Sequence, residues 1–417
     1  MRGNLLVLLI SIGFFVLIDL YVFSGIKALT ELTQPSIRKI IHSVYWGFTI
    51  WSILTLLIMY SGIYTSMPAW LRTGTILVTF MLLFTKLFFL LFLLIDDVQR
   101  LVQLVYGLFQ SNVQGNTAGK TISRSDFLLK VGLAVSAIPF VGMTYGIIVG
   151  AHDYTVRKKR LVLKNLPKAW NGLKIVQLSD IHSGSFYNKA AVERGIEMVM
   201  KQKPDIIFFT GDLVNNIATE MDNYIDVFAK LHAPLGVYST LGNHDYGDYA
   251  TWETPQAKQD NLNQLIGVHK KMGWDILMNE HRILKKDGAE IAILGIENWG
   301  AKGNFPKYGK MNEAYPGTEH VPVKLLLSHD PSHWDAEVLK KYKDIDVMFA
   351  GHTHGMQFGI EKGPFKWSPV QWMYDQWAGL YEKQGQYLYV NRGFGFIGFP
   401  GRVGMAPEIT VMELFTD

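Results

Sequence analysis

The chain has 417 residues, 49% of them hydrophobic and 18% charged, with a formal net charge of +4 and no cysteine. Soluble domains carry about 25% charged residues, so apolar sequence is concentrated in one part, and the length argues for two or three domains. The missing cysteine excludes disulfides, thiolate metal sites and a cysteine nucleophile, leaving His, Asp, Glu and Asn as metal ligands.

In chain order, the apolar sequence comes first. Asn4 to Ile18 is uncharged and runs on past Asp19 to Phe23; Ser43 to Leu71 is uncharged; Thr73 to Ile95 is apolar except for Lys86; Val131 to Ala151 is again uncharged. A helix needs about 20 apolar residues to cross a bilayer, so these runs predict four membrane helices over 4–23, 43–64, 73–95 and 131–151. Buried helices of a soluble protein are the alternative, but the four successive runs have almost no polar face. The first run is read as an uncleaved helix, because it lacks a small-residue cleavage site. Asp19 and Lys86, lone charges within spans, are expected to face other helices or to snorkel. Val98 to Phe109 reads as an amphipathic continuation and Ser111 to Gly119 as a polar loop. Composition changes at Arg157-Lys158-Lys159-Arg160, which sets a transmembrane domain over 1–154 and a second domain over 155–417.

Charge bears on orientation. With four spans both ends lie on one side, and Arg157 to Arg160 would draw the second domain inward. Ser123 to Lys130, before the fourth run, is similar to a twin-arginine export signal but has one arginine in place of two. With Arg124 and Lys130 inside, the inner loops hold Lys27, Arg38, Lys39, Arg100, Lys120 and Arg124, against Arg2 and Arg72 outside. That asymmetry gives the expectation of an integral protein of a bacterial inner membrane with its second domain on the extracytoplasmic side.

The second domain repeats one arrangement: a short β-branched or aromatic run, a sharp turn, then metal-ligating side chains. Lys174 to Leu178 leads to Asp180-Ile181-His182, and Asp205 to Thr210 leads to Gly211-Asp212. Val237 to Leu241 leads to Gly242-Asn243-His244-Asp245, Lys324 to Ser328 to His329-Asp330, and Asp346 to Ala350 to Gly351-His352-Thr353-His354. Such runs predict buried strands, and ligands in open α/β sheets gather beyond the strands' carboxyl ends. The i, i+2 spacing in Asp180/His182 and His352/His354 predicts an extended segment with both side chains on one face.

Asp-x-His, Gly-Asp, Gly-Asn-His-Asp, His and Gly-His-x-His, in that order, resemble the complete signature of the calcineurin-like metallophosphoesterases, in a membrane-anchored bacterial form, over residues 160 to 417. The resemblance implies an α/β four-layer sandwich, two mixed β-sheets flanked by helices. It implies one divalent metal ion on Asp180, His182, Asp212 and His354, and a second on Asp212, Asn243, His329 and His352, with Asp212 shared. Mn²⁺, Fe and Zn²⁺ all suit such ligands. Two ions about 3.5–4 Å apart polarise a phosphoryl group and supply a hydroxide for in-line attack. His244 is then the expected proton donor to the leaving oxygen, with Asp245 orienting its ring.

The implied activity is hydrolysis of a phosphomonoester, phosphodiester or pyrophosphate. Some membrane-bound relatives cleave the pyrophosphate of nucleotide-activated lipid A precursors, so a lipid-linked or envelope substrate is a candidate beside small phosphorylated molecules. The lipid bilayer is the other expected partner. No nucleic acid is expected, since no Lys/Arg run interleaves with aromatics, and no obligate protein partner is evident. A catalytically weak metal-binding sensor or regulatory domain is the competing reading. Arg392, in a turn after the strand 386–390, is a candidate phosphate contact or a surface turn. Trp367, Trp372, Tyr374, Trp377 and Tyr381 read as a substrate wall, an interfacial belt or ordinary core packing.

Overall fold

The computed structural model describes residues 5–63, 67–111, 124–303 and 305–417. The chain divides into two compact units, Met1–Thr144 and Tyr145–Asp417.

The first unit is helical: α1 (Leu5–Leu29), α2 (Pro35–Ser61), α3 (Ala69–Ser111) and α4 (Asp126–Ile148, which runs into the second unit). Among the described residues, four helical stretches are long and apolar enough to cross a membrane, and most of their large side chains face outward. The 43 residues of α3 span about 65 Å at 1.5 Å per residue, twice the hydrocarbon thickness, so the amphipathic stretch over 98–109 continues the third span as one helix. Asp19 and Lys86 do face other helices: they pair with each other at 2.5 Å, and the Tyr45 hydroxyl donates to the Asp19 carbonyl at 2.8 Å. The polar loop expected after Ser111 lies outside the described residues.

The second unit contains β1 (Thr155–Leu163), β2 (Leu173–Leu178), β3 (Ile206–Thr210), β4 (Val237–Thr240), β5 (Asp275–Ile276), β6 (Glu280–Lys286) and β7 (Ala289–Gly295). It continues with β8 (Lys324–Leu327), β9 (Val347–Ala350), β10 (Ile360–Lys362), β11 (Phe365–Trp367), β12 (Gly379–Lys383), β13 (Gln386–Val390) and β14 (Glu408–Thr416). One sheet has the order β1-β14-β2-β3-β4-β5, the other β12-β13-β9-β8-β7-β6, and β10-β11 is a separate hairpin. Both six-stranded sheets mix parallel and antiparallel pairs.

Strand residues alternate between two dry faces. Ile175, Ile206 and Phe208 meet Ile293, Leu325, Leu327, Val347 and Phe349 between the sheets. Their neighbours Val176, Ile207 and Phe209 pack outward on Val192, Ile196 and Val199 of the helix Lys189–Met200. Leu326, Met348 and Leu388 pack outward on Trp334 and Val338. With both faces covered, the strands read as continuous apolar runs without polar alternation. This is the four-layer sandwich.

The second unit starts ten residues before the composition change at 155. The Arg402 amide donates to the Gly146 carbonyl at 3.0 Å, a Cβ on Gly150 would meet the Arg402 carbonyl at 2.2 Å, and Tyr154 stacks on Phe394 at 4.3 Å. Backbone-to-backbone packing through glycine leaves no mark in hydropathy.

Candidate metal centre

The parallel strands β2, β3 and β4 of one sheet and β8 and β9 of the other all release their chains into one place. Three hydrogen bonds join the two sets of strand ends. The Gln177 side-chain amide donates to the Ala350 carbonyl at 2.9 Å, His329 Nδ1 to the Thr210 carbonyl at 2.7 Å, and the His352 backbone amide to Asp180 Oδ1 at 2.9 Å.

Two groups of ligand atoms result: Asp180, His182 and His354, and Asp212, His329 and His352, with ligand atoms within 4.8 Å of one another in each. Asp212 Oδ2 lies between the groups, 3.1 Å from His329 Nε2 and 3.5 Å from His182 Nε2. His354 Nε2 is 3.3 Å from Asp180 Oδ1, and Asn243 Oδ1 is 2.8 Å from His352 Nδ1. All seven residues expected as ligands are therefore in one cluster.

The local backbone differs from expectation. Asp180, His182, Asp212, His352 and His354 all have φ between 49° and 70°. Left-handed conformations in non-glycine residues cost about 1–3 kcal/mol each and persist where the surroundings enforce them. The i, i+2 pairs are thus not extended, and the consequence is visible. Asp180 and His182 join one group, while His352 and His354 are directed to different groups. The approach is tight: a Cβ on Gly351 would lie 2.2 Å from Asp180 Oδ2.

Burial dominates the electrostatics. It pushes the Asp180 carboxyl up to about 6 and the His182 imidazole down to about 3. Burial also opposes the charges on His329 and Asp212, but their mutual attraction wins. It lifts His329 to about 10 and holds Asp212 well below the usual carboxylate range. Both ring nitrogens of His182 and Nε2 of His354 are buried with no hydrogen-bond partner among the described residues. Unpaired imidazole nitrogens facing buried carboxylates are the lone-pair inventory that a divalent cation satisfies, so the residues present fit metal ions with O/N ligation.

Two expected roles are corrected. Asp245 does not touch the His244 ring. Its carboxylate accepts from the amides of Gly242, Asp212, Leu213 and Val214 at 2.8–3.3 Å, pinning the Asp212 turn. The His244 ring is held by the Asn215 carbonyl, 2.8 Å from Nδ1. Arg392 does not reach toward the metal groups. It is buried, with Nη1 2.6 Å from Glu408 and Nη2 2.8 Å from Glu361, because the fully buried Glu408 carboxylate requires a counter-charge.

Several participants escaped the sequence reading. The Tyr374 hydroxyl holds His352 Nε2 at 2.9 Å, and the Asn243 amide donates to the Tyr249 hydroxyl at 2.9 Å, which turns Asn243 Oδ1 inward. Arg402 is buried against the carbonyls of Arg392, Gly393 and Gly395, with Nη2 3.2 Å from His354 Nδ1. Of these only Tyr374 gave a signal, as part of the aromatic run; of that run, Tyr374 and Trp377 are core residues, while Trp372 is exposed.

Comparison with known proteins places this geometry. Residues 173–356 match the family described as calcineurin-like phosphoesterase, and residues 1–151 match the one described as probable calcineurin-like phosphoesterase, transmembrane domain. The uncharacterized metallophosphoesterase YkuE of Bacillus subtilis is 29% identical over 71% of this chain and 98% of its own length. The transmembrane protein with metallophosphoesterase domain of Danio rerio is 29% identical over 65% of this chain and 59% of its own. The UDP-2,3-diacylglucosamine pyrophosphatase LpxG of Chlamydia trachomatis is 28% identical over 60% of this chain and 86% of its own. The chain belongs to the calcineurin-like phosphoesterases and is a membrane protein whose sandwich domain is a metal-dependent phosphoester hydrolase.

Proposed function

We propose that the chain hydrolyses a phosphoester or pyrophosphate bond in a lipid-linked or envelope substrate, using two divalent cations. The observation that carries this reading is Asp212 Oδ2, within 3.5 Å of an imidazole nitrogen from each ligand group. Asp180, His182 and His354 would hold one cation and Asn243, His329 and His352 the other, with Asp212 shared. Bound there, the cations would supply Lewis-acid polarisation of the phosphoryl group and activation of water.

The chain's own groups account for the rest. A water oxygen bonds to phosphorus as the P–O bond opposite breaks, so the leaving oxygen needs a proton. His244 is placed to give it. Its Nδ1 bonds a carbonyl and so keeps a hydrogen, so the proton given up would be the one on Nε2 of the doubly protonated ring, which returns to the neutral Nδ1–H form. His182 lies edge-on to this ring at 4.9 Å. Asp245 keeps Asp212 in its left-handed turn through amide bonds, so its contribution is to positioning.

The likeness to LpxG supports a lipid-linked pyrophosphate among the candidates. The orientation we favour puts the sandwich domain outside a bacterial inner membrane. The charges that oppose it belong to folded structure: Arg157 pairs with Glu361 at 2.7 Å, and Arg160 covers Phe415 at 4.2 Å. A cytoplasm-only fluorescent reporter at the C-terminus decides the side, and bright cells would reverse it. The function is tested on the metal-stripped full chain in detergent. Mn²⁺, Zn²⁺ or Fe²⁺ is restored against a nitrophenyl monoester, a nitrophenyl diester and an acylated sugar nucleotide. Turnover that needs metal supports the reading, and its absence with every pair refutes it.

A further inference from the structure

The segment between the last ligand histidine and Tyr374 folds with its polarity reversed. From Gln357 the side chains alternate, and the polar ones point inward. Gln357 is buried, donating to the Phe399 and Gly401 carbonyls at 2.9 and 3.0 Å and accepting from the Ile397 amide at 2.7 Å. Glu361 takes Arg157 at 2.7 Å and Arg392 at 2.8 Å. Lys366, opposite Glu361 in the β10–β11 register, donates to the Ala378 carbonyl at 2.6 Å and the Tyr381 hydroxyl at 3.0 Å.

The apolar side chains point out. Phe358, Ile360 and Phe365 lie on the outer face with exposures of 38%, 55% and 58%, and Ile360 pairs across the hairpin with Trp367. Trp372, 75% exposed, meets Trp367 edge-on at 6.2 Å, and Met373 beside it is 57% exposed. A hairpin bathed in water carries its polar residues on the open face. This one presents a contiguous aromatic and aliphatic surface, the kind that marks a binding face.

Connectivity indicates the occupant. Phe358 bridges Val403, and the amides of Gly359 and Val403 bond Val403 and Gln357 carbonyls at 2.9 and 2.7 Å. The neighbouring Arg402 amide bonds the Gly146 carbonyl at 3.0 Å, in the last turn of the fourth membrane-length helix. The hairpin therefore springs from the point where the chain leaves that helix, and its three-residue strands add a reach of about 10 Å. Lys362 on the hairpin and Lys159, which shares with Arg157 the face of β1 that reaches Glu361, are exposed cations suited to anionic headgroups. Trp and Phe beside Lys is the composition of a membrane interface.

We infer that the outer face of the β10–β11 hairpin, with Trp372 and Met373, docks into the surface of an anionic bilayer leaflet. The inference stands whatever the substrate. Its consequence is local: the docked residues lie in the chain between His354 and Tyr374, so docking ties the segment that joins two residues of the metal centre to the leaflet.

The chain has no cysteine, so single labels can be placed at will. Full-length Phe365→Cys, Trp372→Cys and, as a control on an exposed helix end, Lys271→Cys are labelled with an environment-sensitive fluorophore. Each is reconstituted one chain per nanodisc of phosphatidylethanolamine and phosphatidylglycerol. At 365 and 372 the emission should shift to the blue and be quenched by lipid-borne nitroxide but not by iodide, with the reverse at 271. Iodide quenching at 365 and 372 as strong as at 271 would overturn the inference. So would protection from iodide without quenching by the nitroxide lipid, which would mean that protein covers the face. A folded control for each variant is unchanged turnover of a water-soluble nitrophenyl diester, since none of the three side chains belongs to the metal centre.

Discussion

The Tyr374 hydroxyl lies 2.9 Å from His352 Nε2, and this contact decides that Nδ1 is the nitrogen facing Asn243 and His329. Tyr374 is 22 residues from His352 and is itself buried, so it is a rigid stop for the ring. Tyr374→Phe keeps the packing and removes the stop. Partners of this kind typically contribute about 10–100-fold to metal affinity. The expected result is a loss of that size in affinity for one of the two proposed ions, read by metal titration, with the thermal stability of the metal-free protein nearly unchanged. Equal affinity in the variant would assign the hydroxyl a packing role only.

Asp212 and His244 should separate metal binding from proton transfer. Asp212→Asn removes the anionic group proposed to be shared by both ligand sets and should empty both sites and abolish turnover. His244→Ala leaves every proposed ligand in place, and the His244 amide still donates to Asp212 Oδ1 at 2.8 Å. It should keep its metal and lose about 10²–10⁴ in turnover, the usual contribution of a general acid or base. Metal content and rate are measured on the same samples. Two tightly held ions in Asp212→Asn would rule out the shared ligand.

The contrast between Asp245 and Asp212 marks what a sequence can carry. Strand ends, ligand types and their order are local properties, and they were legible: Asp180, His182, Asp212, Asn243, His329, His352 and His354 do converge. What a carboxylate bonds to is not local. Asp245 adjoins His244 in sequence, yet its geometry suits four backbone amides better than a ring. Arg392 failed for a similar reason, since its partner Glu408 is 16 residues away on β14, between β1 and β2 of the first sheet. The left-handed ligand residues also left no trace, because Asp and His carry no preference strong enough to announce such a backbone.

His269 gives a pH dependence that is independent of metal. It is fully buried, with Nδ1 2.9 Å from the Ser239 hydroxyl and Nε2 unpaired, and burial holds it down to about 3. Unfolded, an imidazole takes up its proton near 6.5, so the unfolded chain binds more protons at any pH below that. Stability is therefore full above about 6.5 and falls by about 1.4 kcal/mol per pH unit as the solution is acidified toward the folded value. His269→Gln retains a neutral hydrogen-bonding side chain and should lose this slope. Denaturation of the metal-free chain and the variant between pH 7 and 5 supplies the comparison. Identical slopes would mean that the imidazole charges within the fold.

The boundary between the two units yields the last prediction. The sandwich unit is large enough to bury a full core alone, so a fragment lacking the first unit is expected to fold and to hydrolyse a nitrophenyl diester. Where the fragment begins should matter. Starting at Thr155 deletes Tyr154, whose ring stacks on Phe394 at 4.3 Å, and the Gly146 carbonyl that accepts from Arg402 at 3.0 Å. Loss of a buried aromatic side chain costs about 3–5 kcal/mol. Arg402, released on one side, also lies 3.2 Å from His354 Nδ1, so the loosening should reach the metal centre. A fragment beginning at Tyr145 should therefore unfold at higher urea than one beginning at Thr155 and retain its metal better. Coincident unfolding curves would show that residues 145–154 ride on the domain without supporting it, and insolubility of fragments from every start point would refute separability itself.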